Sequence, residues 1–291
     1  MNVPPARLPT GITSEAFSAA IEANVRAALS EDVGTGDVSA GLIAPETLAR
    51  AQVITRVPGV IAGLPWVLEV CRQVDEAIEV TPLAADGDAV AAGDRLFTLT
   101  GPAASLLTAE RCALNFLQLL SGTATLTRRY VDLIRHTGAT LLDTRKTIPG
   151  LRLAQKYAVR CGGGQNHRLG LYDQFLIKEN HIAAAGGIRA AVSAARASHA
   201  ALKIEVEVES LDQLTEAIEA GADLAMVDNF SIDDTHKAVQ LSRGRIALES
   251  SGGINDTTII AVAEAGVDFI SVGELTKTVL PLDLSMRMEA L

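Results

Sequence analysis

The chain has 291 residues, of which 48% are apolar and 21% charged, so it is not disordered throughout. Its 25 Lys and Arg residues against 35 Asp and Glu residues give a formal net charge of −10. That balance excludes binding to nucleic acid or to an anionic membrane through bulk charge. An anionic ligand would have to be bound by a local cluster of basic residues.

The length predicts two domains or one large one. The longest uncharged stretches, such as 57–68 and 114–127, fall short of the ~20 apolar residues that cross a bilayer. The first twenty residues lack a basic start followed by an apolar block, so no secretory signal is predicted. Cys71, Cys112 and Cys161 lack metal-ligand spacing, and we expect reduced thiols in a cytoplasmic protein.

Up to about residue 107, short β-like runs alternate with turns. The runs cover 50–56, 57–63 and 86–99, and the last contains glycine at two turn points, which is typical of an antiparallel hairpin. Apolar residues at helical spacing then predict a helix over 108–130.

Beyond this helix the pattern changes to alternating strands and helices. The predicted strands cover 139–142, 174–177, 203–208, 224–227, 245–248 and 269–272. Ser210 is expected to cap a helix over 211–220, and Asn255 with Asp256 one over 257–265. Gly221 and Gly266 fit the residue that follows the last turn of each of these helices. About six strand–helix units are recognisable rather than eight, which predicts an incomplete (β/α) barrel.

Charged or small polar residues follow each predicted strand. In a (β/α) barrel the carboxyl ends of the strands form the active site, so these residues are the candidate site. They are Asp143-Thr144-Arg145-Lys146, Lys178-Glu179-Asn180-His181, Glu207, Asp228-Asn229, Ser250-Ser251-Gly252-Gly253 and Gly273-Glu274.

The basic residues are concentrated in one part of the chain. Residues 143–181 contain seven Lys or Arg and three acidic residues, a net charge of +4 that leaves −14 for the rest. Within it, Arg145, Lys146, Arg168 and Lys178 follow strands or a glycine-rich turn and suit binding of carboxylate or phosphate. The other three, Arg152, Lys156 and Arg160, have the spacing of a solvated helix face.

Two further features suggest ligand binding. Acidic residues alternate along 204–209, and Glu207 or Glu209 should face a polar site because both faces of a parallel strand are normally covered. With Asp228, this carboxylate could bind hydroxyls, Mg²⁺ or a developing cation. The run 251–253 precedes a helix expected to begin near Asn255, where backbone N–H groups favour phosphate.

Three motifs make the chain resemble the quinolinate phosphoribosyltransferase family. They are Asp143-Thr-Arg-Lys-Thr, Gly162-Gly-Gly-Gln-Asn-His-Arg168 and Ile177-Lys-Glu-Asn-His181. Similar features extend in order over nearly the whole chain, from Glu31-Asp-Val-Gly-Thr-Gly-Asp37 through Glu110-Arg-Cys-Ala-Leu-Asn-Phe-Leu117 to Val272-Gly-Glu-Leu-Thr276.

The resemblance implies an N-terminal α/β sandwich over 1–120 and an incomplete (β/α) barrel over 121–279, with a tail at about 280–291 that packs back on the sandwich. It implies transfer of phosphoribose from phosphoribosyl pyrophosphate to quinolinate, with loss of CO₂. The products are nicotinate mononucleotide and pyrophosphate, in de novo NAD biosynthesis. It also implies Mg²⁺ as cofactor and a homodimer with a shared active site.

The resemblance further implies individual roles. Lys146, Lys178, Glu207 and Asp228 would be catalytic, and Glu207 and Asp228 would also bind the metal. The substrate-binding residues would be Arg111 from the partner subunit, Thr144, Arg145, His167, Arg168, Lys178, Ser251, Gly252, Gly273 and Lys277. Many members of the family have His where this chain has Lys277, a departure at the expected phosphate contact.

Three alternatives remain from the sequence. A related pyrophosphorylase-like enzyme could act on another acceptor. An aldolase could form a Schiff base at Lys178, which would require a desolvated lysine. A barrel of this kind could also bind a metabolite without catalysis.

Overall fold

The computed structural model describes residues 7–291, apart from the side chain of Ala290. By its contacts the chain divides into two compact units. The first contains the described residues up to Arg128 together with Thr147–Gly163 and Leu275–Leu291, and the second contains Arg129–Lys146 and Gly164–Glu274. Both units are discontinuous in sequence, whereas the predicted ranges 1–120 and 121–279 are continuous. Residues 1–6 of the first range lie outside the described part.

The described residues up to 138 form helices and antiparallel strands. In chain order these are α1 (Ser14–Asp32), β1 (Leu48–Thr55), β2 (Gly59–Val60), α2 (Leu64–Val74), β3 (Glu79–Pro82), β4 (Ala89–Val90), β5 (Arg95–Pro102) and α3 (Ala103–Ile134). The helix predicted over 108–130 is confirmed as part of α3, which is longer at both ends.

The rest of the chain alternates between strands and helices as predicted. The elements are β6 (Thr140–Leu142), α4 (Arg152–Gly162), β7 (Phe175–Ile177), α5 (Glu179–Ala185), α6 (Ile188–Ser198), β8 (Ile204–Val208), α7 (Leu211–Glu219), β9 (Leu224–Asp228), α8 (Ile232–Ser242), β10 (Ala247–Ser251), α9 (Ile259–Glu264), β11 (Phe269–Ser271), α10 (Glu274–Lys277) and β12 (Leu284–Ala290). None of the helices in the described part is long and apolar enough to cross a membrane.

The first unit is built on a four-stranded antiparallel sheet in the order β12-β1-β5-β3. Strand β1 buries every second residue, including Ala49, Ala51 and Val53. The hairpin predicted over 86–99 is wrong, because β4 pairs with β2 while β5 pairs with β1 and β3. Strands still run antiparallel there, but their partners are distant in sequence.

An aromatic cluster lies in the core of this unit. The ring centroids of Phe17 and Trp66 are 5.6 Å apart, and those of Phe17 and Tyr157 are 5.1 Å apart. Tyr157 belongs to α4, which is buried on most sides. The solvated position expected for Lys156 is therefore wrong, since this side chain is fully buried, and Arg152 and Arg160 are half-buried.

The second unit contains a six-stranded parallel sheet in the order β6-β11-β10-β9-β8-β7. Each neighbouring pair is parallel. With the antiparallel sheet and helices of the first unit, this confirms the predicted α/β fold class of an N-terminal sandwich and an incomplete barrel. Five of the six strands match their predicted positions within about one residue. Strand β10 begins two residues later than predicted and includes Ser251, which pairs with Asp228 of β9.

The helix-end signals have mixed outcomes. Ser210 Oγ accepts a hydrogen bond from Gln213 N at 3.2 Å and caps α7 as predicted. Gly221 and Gly266 have φ of +81° and +96°, which confirms their place after α7 and α9. Helix α9 begins later than predicted, because the Asn255 side chain accepts from two backbone N–H groups in a turn before the helix.

Candidate active site

A cavity of ≈ 330 Å³ lies within the second unit, a size in the range of small-molecule sites. Its walls come from the loop after β6, the loop between α4 and β7, and residues of the parallel strands or directly after them. The lining residues are Thr144, Arg145, Lys146, His167, Arg168, Leu176, Lys178, Glu207, Met226, Ser251 and Ser271. Eight of these were predicted site residues, and the structure brings them together.

The cavity carries a surplus of positive charge. Arg145, Lys146, Arg168 and Lys178 all line it. Glu207 offsets part of this charge, because Lys178 Nζ lies 2.5 Å from Glu207 Oε2. Burial, followed by the positive charge of Arg145, lowers the pKa of Arg168. Two guanidinium groups thus face one cavity, an arrangement that favours a ligand with more than one anionic group.

Asp143 has a structural part in the site. Its carboxylate is fully buried and accepts hydrogen bonds from Asn166 Nδ2 at 2.6 Å and from His167 N at 2.9 Å. The first residue of the Asp143-Thr-Arg-Lys motif therefore anchors the loop that carries His167 and Arg168. This contact explains why the two motifs occur together although they lie more than twenty residues apart.

Close approaches explain two glycines of the site. A Cβ on Gly273 would lie 3.0 Å from Lys146 Cδ and 3.7 Å from Thr144 Oγ1. Gly252 has φ of +89°, and a Cβ there would lie 2.8 Å from Asp228 Oδ1. The glycines therefore let the backbone lie close against Lys146 and Asp228.

Asn229, the residue after Asp228, also has a left-handed backbone, with φ of +56°. Such a conformation in a residue other than glycine is a form of strain often found at functional sites. Asp228 Oδ2 accepts a hydrogen bond from Asn229 Nδ2 at 2.9 Å, so the strained residue holds the carboxylate at the end of β9.

His167 is held from both sides. Its Nε2 lies 3.0 Å from Glu205 Oε2 and 3.4 Å from Glu249 Oε2, and its Nδ1 accepts a hydrogen bond from Arg168 N at 2.7 Å. Both glutamates are fully buried, and the His167 side chain is 7% exposed. The imidazole therefore lines the cavity with both of its nitrogens engaged in these contacts.

Burial and close contacts shift the pKa values of His167 and Glu205. Burial opposes a charge on His167, but its contacts with Glu205 and Glu249 outweigh it and raise the pKa of the ring. Burial, followed by the charge of Glu249, raises the pKa of Glu205 to about 7. Because Nδ1 accepts from the Arg168 amide, the ring proton at Nε2 is the one that faces the two carboxyl groups.

Sequence reasoning missed several residues of this site. Glu205 and Glu249 are buried within strands, Leu176 and Met226 line the cavity from the middle of β7 and β9, and Ser271 lines it as the last residue of β11. The alternation of acidic residues in β8 was the available signal for Glu205. It also offered Glu209, but that residue is exposed while Glu207 lines the cavity.

One argument for phosphate binding is wrong in its detail. Helix α9 begins at Ile259, so the run 251–253 does not lead directly into a helix N-terminus. Two predicted residues lie elsewhere: Arg111 on α3 and Lys277 at the end of α10 belong to the first unit, and both are exposed. Their roles stay predictions.

A parallel sheet with a cationic cavity at the carboxyl ends of its strands defines an α/β enzyme that acts on small anions. Residues 34–121 match the N-terminal domain of quinolinate phosphoribosyl transferase, and residues 123–287 match its C-terminal domain. The chain belongs to this family of transferases, which confirms the resemblance seen in its sequence.

Similar proteins agree with this assignment. The chain is 44% identical to a probable nicotinate-nucleotide pyrophosphorylase [carboxylating] of Bacillus subtilis, over 88% of this chain and 89% of the other. It is 43% identical to the Mycobacterium leprae nicotinate-nucleotide pyrophosphorylase [carboxylating], over 91% and 95%. The solved nicotinate-nucleotide pyrophosphorylase of Francisella tularensis is 49% identical, with a TM-score of 0.90 over 94% of this chain and 97% of that one.

Proposed function

We propose that the chain transfers phosphoribose from phosphoribosyl pyrophosphate to quinolinate and releases CO₂. The products are nicotinate mononucleotide and pyrophosphate, in de novo NAD biosynthesis. The observation that carries this proposal is the cavity lined by Arg145, Lys146, Arg168 and Lys178. Quinolinate has two carboxylates, and each must be bound by cations because it leaves water on binding.

The positions of the side chains suggest which residues bind which part of the substrates. Arg145, Arg168 and Lys178 bind the two carboxylates, and Thr144 lies beside Arg145 in the same cavity wall. The His167 ring forms part of the cavity wall, while its Nε2 contacts Glu205 and its Nδ1 accepts from the Arg168 amide. The ring nitrogen of quinolinate can then attack the ribose carbon that carries the pyrophosphate.

The phosphate groups are assigned to the side of the cavity that Lys146 and Ser251 line. Lys146, packed against Gly273, suits the pyrophosphate. Ser251, Gly252 and Gly273 suit the 5′-phosphate, with Lys277 as a further phosphate contact.

Glu207 and Asp228 stabilise the reacting centre. When pyrophosphate leaves with its bonding electrons, positive charge develops on the ribose, and nearby carboxylates stabilise it. The quaternised pyridinium then accepts electrons as the bond from ring carbon 2 to CO₂ breaks, and that carbon takes a proton. These steps require no covalent enzyme intermediate.

Mg²⁺ fits the same carboxylates. Glu207 is the second-last residue of β8, Asp228 is the last residue of the neighbouring strand β9, and both offer oxygen ligands, which Mg²⁺ prefers. This ion commonly binds one or two carboxylates together with substrate phosphates, and it would neutralise charge on the departing pyrophosphate.

We further propose a homodimer in which Arg111 enters the active site of the partner subunit. The exposed position of Arg111 on α3 is consistent with this role. We also place the enzyme in the cytoplasm, since Cys71, Cys112 and Cys161 are all free thiols.

The alternatives differ in what they require. A Schiff-base lysine must be desolvated and uncharged, whereas Lys178 is 44% exposed and paired with Glu207. A related enzyme for an acceptor with one carboxylate would not need two guanidinium groups in one cavity. A binding protein without catalysis shares the cavity and is separated by turnover alone.

Turnover of the purified chain tests the proposal. With quinolinate, phosphoribosyl pyrophosphate and Mg²⁺, we expect equimolar release of pyrophosphate and CO₂. Nicotinate, which has one carboxylate, serves as the matched acceptor and should react much more slowly. No release with quinolinate would contradict the proposal, and borohydride trapping of an adduct at Lys178 would favour the aldolase.

A further inference from the structure

A closed ring of hydrogen bonds lies behind the cationic wall of the cavity. Glu205 Oε2 lies 3.0 Å from His167 Nε2 and accepts from Gln174 Nε2 at 2.8 Å. The backbone carbonyl of Gln174 accepts from Arg168 Nη1 at 3.1 Å, and Arg168 N donates to His167 Nδ1 at 2.7 Å. Both the backbone amide and the guanidinium of Arg168 are therefore linked to the buried side chain of Glu205, the first through His167 and the second through Gln174.

This ring addresses an electrostatic problem of the cavity. Arg145 and Arg168 face the same space, and like charges at short range repel each other. An arginine side chain that is held only by its ligand would also lose rotamer freedom on binding, which reduces affinity. The ring holds Arg168 against the repulsion of Arg145 and limits that freedom before the ligand arrives.

We propose that Glu205 and Gln174 are positioning residues for the dicarboxylate, which act by holding Arg168 through this ring. The proposal rests on the proposed function, because it assigns Arg168 to a carboxylate of quinolinate. Neither Glu205 nor Gln174 needs to touch the substrate. Their effect should fall on quinolinate binding, with little change in the steps that follow.

The chain offers a matched control for Glu205. Glu249 is equally buried and lies 3.4 Å from the same imidazole nitrogen, but it is not part of the ring. Glu249→Gln therefore makes the same chemical change at the same depth without breaking the path to Arg168.

The first experiment compares steady-state kinetics of Glu205→Gln, Gln174→Met and Glu249→Gln. We expect the first two to raise KM for quinolinate about tenfold, the effect of about 1.4 kcal/mol. Their kcat and their KM for phosphoribosyl pyrophosphate should change less than about twofold. Glu249→Gln, which leaves the ring closed, should raise KM for quinolinate less than either ring variant does. Gln174→Met carries the test if Glu205→Gln does not fold, since Gln174 is only half-buried.

A double-mutant cycle separates positioning from a general structural effect. If Gln174 acts through Arg168, then Gln174→Met should have almost no further effect on KM in an Arg168→Lys background. Additive effects of the two substitutions would overturn the proposal, as would a fall in kcat with KM unchanged.

Other results would separate a failure of the ring from a failure of the proposed function, or from a metal site. Absence of turnover in the wild-type chain would overturn the proposed function and this inference together, whereas normal turnover with unchanged KM in both ring variants would overturn this inference alone. A stoichiometric metal ion in the purified enzyme that is lost in Glu249→Gln would assign Glu205, Glu249 and His167 to a metal site instead of the ring.

Discussion

Two buried carboxylates, Asp86 in the first unit and Glu249 in the second, have opposite surroundings. Asp86 in the first unit accepts hydrogen bonds from Gly63 N at 3.0 Å, Leu64 N at 3.1 Å and the Tyr157 hydroxyl at 2.7 Å. In the second unit, neither oxygen of Glu249 has a hydrogen-bond partner among the described residues. Asp86, which has three donors, fixes the start of α2. Glu249, which has none, lies beside His167 of the cavity.

This difference helps to separate structural from functional groups. A buried polar group without a partner costs stability, so native proteins keep few of them, and those often mark a functional site. Asp86 should therefore matter for folding and the residues around the cavity for activity. The following predictions test that division.

The largest effect is expected at the cavity itself. Arg145→Ala or Lys178→Ala should lower kcat/KM for quinolinate by about 100-fold or more, because each removes a charge that the dicarboxylate needs, at a cost of about 3 kcal/mol. Steady-state kinetics measure this effect. Arg189→Ala, which removes an exposed cation paired with Glu219, is the control and should have normal kinetics. Normal kinetics in both cavity variants would refute the assignment of the site.

Asp86→Asn should have the opposite effect, lowering stability while activity is kept. It leaves an amide group facing backbone donors in a buried place, so the free energy of unfolding should fall by about 3 kcal/mol. Chemical denaturation measures the loss, and kcat/KM of the folded enzyme should stay within about twofold. Asp88→Asn, at an exposed neighbouring position, is the control. A loss of activity without a loss of stability would break the comparison between the units.

The pH dependence of stability provides a third test. The pKa of Glu205 is raised from 4.5 to about 7 in the folded chain, so folding takes up a proton between these values. Its contribution to stability is fully present below about pH 4.5 and is lost as the pH rises through about 7. The slope from this one group is at most about 1.4 kcal/mol per pH unit.

Unfolding free energies of the wild type and of Glu205→Gln between pH 5 and 8 measure this contribution. The wild type should lose stability more steeply with rising pH than the variant. Equal slopes would mean that Glu205 does not keep its proton in the folded chain.

The smallest effect is expected at a hydroxyl group. Ser271 Oγ is buried at the cavity wall, with no hydrogen-bond partner within the described residues. If this hydroxyl donates a hydrogen bond to a substrate, Ser271→Ala should raise KM for that substrate about fivefold, as expected for the loss of about 1 kcal/mol. Ser285 in β12 also has a buried hydroxyl without a partner, but it belongs to the first unit. Ser285→Ala should leave KM unchanged, and equal effects of the two would remove any special role for Ser271.

The sequence predicted the parts of the site that follow strands. Arg145, Lys178 and Asp228 could be grouped because the ends of parallel strands share one edge of the sheet. Glu249 escaped prediction because β10 was expected to end at residue 248, which placed Glu249 outside the strand. The burial of Lys156 was not predicted, because the spacing of basic residues along α4 does not show that other elements cover the helix on most sides.

The ring around Glu205 shows a second limit of sequence reasoning. Glu205 and Gln174 each have an ordinary local context, and only the parallel pairing of β7 with β8 brings their strands side by side. Contacts between side chains distant in sequence depend on register and twist, which local patterns do not contain.

The position of β12 in the chain has a consequence for the order of synthesis. This strand pairs with β1 along seven residues at the edge of the antiparallel sheet, yet all six strands of the parallel sheet come between the two in sequence. On the ribosome, β1 emerges long before its neighbour exists. That edge of the sheet stays open, with unpaired backbone groups, until the whole parallel sheet has been translated.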